Sequence, residues 1–232
     1  MKTLKTILVM AMGLMVINAS AQTADEIIGK YVKAMGGAEK LASLKTVKME
    51  GTMSTQGIDV VITMTKKQMS GLRMDMDIMG TANFQLANTT KGWVFMPVMQ
   101  QAEPQEMDAD QVKSVQSQFD IQGILFNYKE KGYQVQSNGV ESLDGKEAYK
   151  LQVVKNADTV FYFIDKTSNF IVKNSTTKNV QGADMTIESS FSDYKQNDQG
   201  FWFAYTNSTL QGEIKFDKIS TNIEVDDKIF TN

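Results

Sequence analysis

Arg73, Asp75 and Asp77 alternate with Leu72, Met74, Met76 and Ile78. That is the period of a strand with one polar and one apolar face. Asp75 and Asp77 share the polar face about 7 Å apart, a spacing at which two carboxyl groups could divide acid and base work. Solvated charge on a wet strand explains them equally, and nothing accompanies them. No Gly-rich phosphate loop, G-x-S-x-G elbow or acidic metal motif is present. The chain has no histidine and no cysteine. This excludes an imidazole base, a thiolate nucleophile, a disulfide and a Cys/His zinc site. The sequence reads as that of a protein that is not an enzyme, with no catalytic residue, metal or cofactor.

Arg73 is the only arginine among 24 basic residues. A planar guanidinium clamps a carboxylate, carbonyl or phosphate in a way an ammonium does not; the other reading is a cross-strand pair with an acidic neighbour. Lys66 and Lys67, at a turn, could meet a polar head group or form a solvated loop. Lys67 and Arg73 are therefore the candidate polar mouth of a site.

Its apolar part is suggested by methionine. Ten of the sixteen methionines lie between Met49 and Met107, mostly on one face of each strand. Methionine is flexible and polarizable, so a wall built from it can repack around apolar partners of no fixed shape. The candidate lining is Met49, Met53, Ile62, Met64, Leu72, Met74, Met76, Ile78, Trp93 and Phe95. Plain core filling is the competing account. A Cu(I) thioether site at Met74, Met76 and Met79 is a third, although Met79 falls on the other face.

The elements that must position these residues follow from periodicity. Thr23 and Glu26 form a capping box, and Ile28, Tyr31, Val32 and Met35 follow at helical spacing until Gly36-Gly37. Ala38 to Leu44 makes a further helical turn, with Leu41 and Leu44 inward. From Val47 the period becomes two. Strands are expected around Val47–Met53, Ile58–Lys66, Leu72–Ile78, Phe84–Leu86 and Trp93–Met96, the first two joined as a hairpin at Gln56-Gly57, with the next turn at Lys66–Gly71. Asp108 caps a helix carrying Val112, Val115 and Phe119 that runs to about Gln122-Gly123. Ile124-Leu125-Phe126 could close over a core. Seven strands then follow: Tyr133–Gln136, Ala148–Val154, Thr159–Ile164, Phe170–Val180, Met185–Tyr194, Phe201–Leu210 and Gly212–Ile223. Turn signals such as Asp144-Gly145, Asn156-Ala157-Asp158 and Gln181-Gly182-Ala183-Asp184 separate them. Such spacing indicates a meander that closes towards a sandwich or barrel.

The 232 residues carry a formal net charge of −3, which argues against nucleic acid as a partner. Lys2 and Lys5, the apolar run Ile7–Ile17 and Ala19-Ser20-Ala21 make a secretory signal over residues 1–21. Its eleven apolar residues are too few to span a bilayer. The mature chain is then one domain, residues 22–232, exported to the periplasm, monomeric and at most peripheral to membranes. A cysteine-free exported chain folds without an oxidant, which suits that compartment. Asp158-Thr159-Val160 resembles a short O-glycosylation acceptor.

In order of elements the chain resembles the LolA/LolB-like superfamily of periplasmic lipoprotein carriers and their outer-membrane receptors. The resemblance rests on a lysine-containing turn followed by a Trp-x-aromatic-x-Pro strand, here Lys91, Trp93, Phe95 and Pro97, with a capped helix after it from Asp108. The Leu72–Asp77 strand, the opening Tyr31–Leu41 and the tail Ile223–Phe230 also match, the opening in the manner of Bacteroidetes-type relatives. The resemblance implies a mainly β fold with helices (α+β): an incomplete antiparallel β-barrel of about eleven strands, covered by an N-terminal helix and a mid-chain helical lid. It also implies an apolar interior for lipid or lipoprotein acyl chains. The other function for the same fold is an envelope-protein interaction or sensor module with a filled core. The carriers keep an Arg-Pro pair after the second long strand, tied to lid opening. Here Lys66-Lys67-Gln68 stands in that place, and a lysine cannot make the planar fork. There is no lipid-anchoring cysteine of the receptor type.

Overall fold

The computed structural model describes residues 22–155, 158–180 and 183–232, the side chains of 179 and 180 excepted. The secretory signal and the turn residues 156–157 and 181–182 lie outside them.

Period-two segments become thirteen strands of a single open antiparallel sheet, in the order β6-β5-β4-β3-β2-β1-β13-β12-β11-β10-β9-β8-β7. The chain starts in the middle with β1 (Thr46–Thr55) and steps outwards through β2 (Ile58–Lys67), β3 (Gly71–Ile78), β4 (Thr81–Asn88), β5 (Gly92–Phe95) and β6 (Gln105–Glu106). It crosses to the opposite edge and returns through β7 (Gln134–Leu143), β8 (Lys146–Lys155), β9 (Asp158–Asp165), β10 (Ile171–Val180), β11 (Ala183–Gln196), β12 (Trp202–Thr209) and β13 (Gly212–Thr221). β13 then pairs with β1, so that single seam joins the two halves of the sheet. The expectation of about eleven strands is therefore low by two. Of the thirteen, only the two-residue β6 at the rim falls outside the strands that periodicity marks out, being too short for a pattern to show.

The helices lie against one face. α1 (Ala24–Ala34) has the expected capping box, Thr23 Oγ1 accepting from Glu26 N–H at 3.3 Å and Glu26 Oε2 from Thr23 N–H at 3.1 Å. Its Ile27, Ile28 and Tyr31 pack on Leu151, Val153 and Ile164 of β8 and β9, together with Leu125 and Tyr128. α3 (Ala109–Gln116) is capped by Asp108 and packs Val112, Val115 and Phe119 on Leu72 and Ala87. It stops six residues short of the expected Gln122. The β2–β3 turn captures the following backbone instead: Phe119 C=O accepts from Met69 N–H at 3.0 Å, and Gln68 Oε1 accepts from Ile121 N–H at 2.7 Å. Residues 118–123 thus become a strap across the middle of the sheet. Asp120 fixes the strap to Lys131 (2.7 Å), and Gln122 fixes it to the C=O groups of Ala42 and Leu44 next to α2 (Ala38–Ala42).

Candidate ligand-binding cavity

Between the strap, α1, α2 and the sheet lies a cavity of about 300 Å³. Five neighbouring strands, β2, β1, β13, β12 and β11, contribute to its wall. On β2 and β1 the wall residues are Met64, Lys66 and Met49. β13 gives Ile214 and Phe216, and Phe201-Trp202-Phe203 and Asn207 come from β12 and the turn before it. β11 gives Phe191 and Tyr194. Three residues apart, these would alternate away from each other, but Asp193 between them is in the left-handed region (φ 55°) and breaks the alternation. The helices supply Tyr31, Met35 and Leu41, and the strap supplies Ile121. Lys40 closes one side, donating to Gln199 C=O at 2.6 Å with its ammonium 4.1 Å above the Phe201 ring.

Register places each candidate lining residue. Val60 pairs with Ile78, Ile62 with Met76, Met64 with Met74 and Met49 with Met64, so all of these share the inner face with Met53 and Leu72. Of them, Met49 and Met64 reach the cavity. Ile62, Met76, Met53, Met74 and Ile78 are packed together with Val47, Val60 and Phe216, and Leu72 lies under α3. Most of the methionine face is filled core.

Trp93 and Phe95 are on the other side of the sheet. Gln85 pairs with Val94 and Ala87 with Gly92, which turns Gly92 and Val94 inward. The physical reason is room. A side chain at Gly92 would put its Cβ 2.8 Å from Met107 Sδ, on the approach to α3, so the parity is set by the glycine and the tryptophan points out. Phe95 packs on Phe84 with ring centroids 5.6 Å apart.

Lys67 and Arg73 are likewise on the outer face, and they hold the C-terminal turn there. Lys67 Nζ bonds Asp227 at 2.6 Å. Arg73 bonds both oxygens of Asp75, two residues along its own strand, at 2.7–3.0 Å and reaches Ile229 C=O at 3.4 Å. Its guanidinium lies 5.0 Å from the centre of the Phe84 ring. The beneficiary is Phe230, buried against Gly71. Neither cation lines the inner cavity. Arg73→Met is therefore expected to cost about 1 kcal/mol in urea denaturation, the scale of a partly exposed ion pair, and to leave ligand uptake at the wild-type level. A groove of about 420 Å³ beside Arg73, Asp75, Asp77, Phe84 and Phe95 is the more open of the two; Arg73 and Asp75 pair with each other there, and Asp77 accepts from Gly80 N–H. The cavity under the strap, the more sheltered of the two, is the better site.

Of the two lysines expected at the end of β2, it is Lys66, not Lys67, that reaches the cavity. Alternation through Ile58, Val60, Ile62 and Met64 leads to Lys66, where strand and turn were expected to meet; the strand in fact runs on through Lys67. Lys66 faces inward as the only charged residue lining the cavity among the described residues. No hydrogen bond or ion pair to its ammonium forms within the described residues. Burial alone lowers its pKa to about 8. Tyr31 and Tyr194 are the other titratable lining groups. Burial pushes both well above the ordinary phenol range, so both stay neutral. Tyr194 donates to Ile171 C=O at 2.7 Å. A second orphan is Asn207, whose buried Oδ1 has no partner.

Among the described residues no cluster of three or more acidic side chains is placed to hold a metal. Thr159 is half-buried within the β8–β9 pairing, opposite Val154.

An open antiparallel sheet with helices laid over its inner face and an apolar cavity between them is a LolA-like fold. In particular, the chain is similar to a LolA superfamily protein from Nitrosomonas europaea, with TM-score 0.58 and 16% identity over 91% of this chain and 99% of that one. A domain described as an outer-membrane lipoprotein-sorting protein from Vibrio parahaemolyticus gives TM-score 0.55 and 16% identity, covering 89% and 97%. A DUF1329 family protein from Desulfovibrio piger gives 0.57 and 12%, covering 90% and 97%. No protein-family model matches the chain, and no curated protein matches it.

Proposed function

We propose that this chain is a non-catalytic carrier or binding protein of the bacterial periplasm that shields the acyl part of a lipid or lipoprotein in its inner cavity. The observation that carries this reading is an unfilled, mostly aliphatic and aromatic cavity in the middle of the sheet's covered face. Its volume of about 300 Å³ is at the small end for ligand sites, which suits one chain. Burying ~300 Å² of acyl surface at about 25 cal/mol per Å² supplies several kcal/mol before ordering costs. The methionines Met35, Met49 and Met64 in the wall allow it to adjust to chains of different length. The fold is that of lipoprotein-sorting domains, and the N-terminal sequence pattern supports export. No described helix is long and apolar enough to cross a membrane.

The alternative, an interaction module with a filled core, predicts no uptake. Native mass spectrometry of the purified protein and titration with a fluorescent fatty acid separate the two. The expected result is one bound acyl chain per protein. Ala204→Phe, which fills the cavity from β12, is expected to abolish uptake while far-UV circular dichroism stays unchanged. A protein that carries no lipid and takes up no probe would remove the carrier reading.

A further inference from the structure

We propose that the cavity is specific for a single-chain fatty acid in its free form, whose carboxylate is received by the ammonium of Lys66. This rests on the acyl-binding reading above and names its ligand class.

The first argument is an unspent cation. Lys66 is a lysine on the buried face of a sheet, with no acidic residue lining the same cavity and no partner for its ammonium within the described residues. Burying an unpaired charge is costly, and a cavity meant for a hydrocarbon alone has no use for it. An anionic head group would supply the missing partner, and a carboxylate suits a single point charge. An acyl group held in an ester or amide has no such anion, so the free acid is selected over the same chain in a lipoprotein.

The second argument is length. Lys66 pairs with Val47 of β1. Asn207, at the other end of the cavity, pairs with Ile214, which pairs with Met53. From Val47 to Met53 the strand rises about 20 Å. Less the reach of the lysine stem, this leaves roughly the thickness of one bilayer leaflet, about 15 Å, the length of one extended acyl chain. The third argument is width. About 300 Å³ is some ten times the volume share of one water, room for one chain and not for two or three.

The remaining titratable lining groups, Tyr31 from α1 and Tyr194 from β11, stay protonated; Lys40 of α2, at one side of the cavity, is bound to Gln199 C=O, Asp120 of the strap is paired with Lys131, and β12 and β13 line the cavity with neutral side chains. The pH response of binding between 7 and 10 therefore belongs to Lys66, whose proton is held with a pKa of about 8 in the empty site and more tightly once a carboxylate sits on it.

The test is isothermal titration of delipidated protein with dodecanoate and with dodecanol, at pH 7 and pH 10, for the wild type, Lys66→Met and Lys66→Gln. Near-ultraviolet circular dichroism checks that each variant is folded. The wild type is expected to prefer the acid at least tenfold at pH 7 and to lose most of that preference at pH 10. Both variants are expected to bind acid and alcohol equally at both pH values. Equal wild-type affinity for acid and alcohol, or a preference that survives in the variants, would overturn the role of Lys66 and leave acyl binding standing. If neither ligand binds, the acyl-binding reading itself fails and this inference with it.

Discussion

Gly51→Ala is expected to be the most damaging single methyl group that can be added to this sheet. Gly51 sits on β1 at an irregularity of the seam with β13: Glu50 pairs with Lys218 and Gly51 with Phe216, leaving Asp217 as an extra residue. β13 bends in over the glycine. A Cβ there would stand 2.1 Å from Lys215 C=O oxygen and 2.7 Å from Phe216 Cα. Both are backbone atoms and cannot rotate away, so the strands must part. No other pairing in the sheet joins its two halves. Phe216, displaced by the shift, is buried in the central core and also lines the cavity. The loss is expected to exceed about 4 kcal/mol, a large share of the stability of a domain, and to be read as poor soluble yield or a strongly lowered urea midpoint. Gly29→Ala is the control. Gly29 is exposed on α1 with nothing within 4 Å of the added carbon, so alanine there is expected to stabilise by about 0.5–1 kcal/mol. If Gly51→Ala unfolds at the wild-type midpoint, the close seam is wrong.

The same seam explains what could be read from the chain and what could not. Alternation is a local signal, and it placed Met49, Met64, Leu72 and Met74 on the inner face and Arg73 on the outer one. It failed where a single residue of parity decides. Gly92 takes the inward place that sterics reserve for it, and Trp93 and Phe95 go out with their family-like spacing intact. The strand β2 runs one residue beyond the expected Lys66, so both lysines lie in it and Lys67 falls on the face opposite Lys66. The far wall was out of reach for a different reason. Tyr194, Trp202 and Asn207 are more than a hundred residues from Met49, and only the pairing of β13 with β1 brings them beside it. No spacing along the sequence encodes that meeting. Methionine enrichment did point to the right face, but most of those side chains are consumed in packing.

A second large effect should be visible in stability against pH. Lys66 has its pKa lowered from 10.5 to about 8 by burial. Between these two values the unfolded chain binds the proton and the folded one does not, so stability rises with pH across that window. The penalty of burying the charge is fully present below about 8 and relieved above 10.5. At 1.36 kcal/mol per unit the span is at most about 3 kcal/mol, and less to the extent that water reaches the half-buried lysine. The opposing groups act later. Tyr31, Tyr162 and Tyr194 are held protonated by burial, Tyr162 up to about 12, so ionisation in the unfolded chain lowers stability only above pH 10. The empty wild-type protein should therefore gain stability from pH 8 to about pH 10 and lose it beyond. In Lys66→Met the rise should vanish, and the variant should be more stable than wild type at pH 7, because an apolar side chain replaces an unpaired charge. Bound fatty acid should have the same flattening effect on the wild type by giving the ammonium its partner. Urea midpoints at pH 7, 8, 9 and 10 for wild type and variant, each with and without dodecanoate, measure all of this. A wild-type profile parallel to that of Lys66→Met would mean that Lys66 keeps its charge in solvent, and the cavity would then lack the cation on which its selectivity depends.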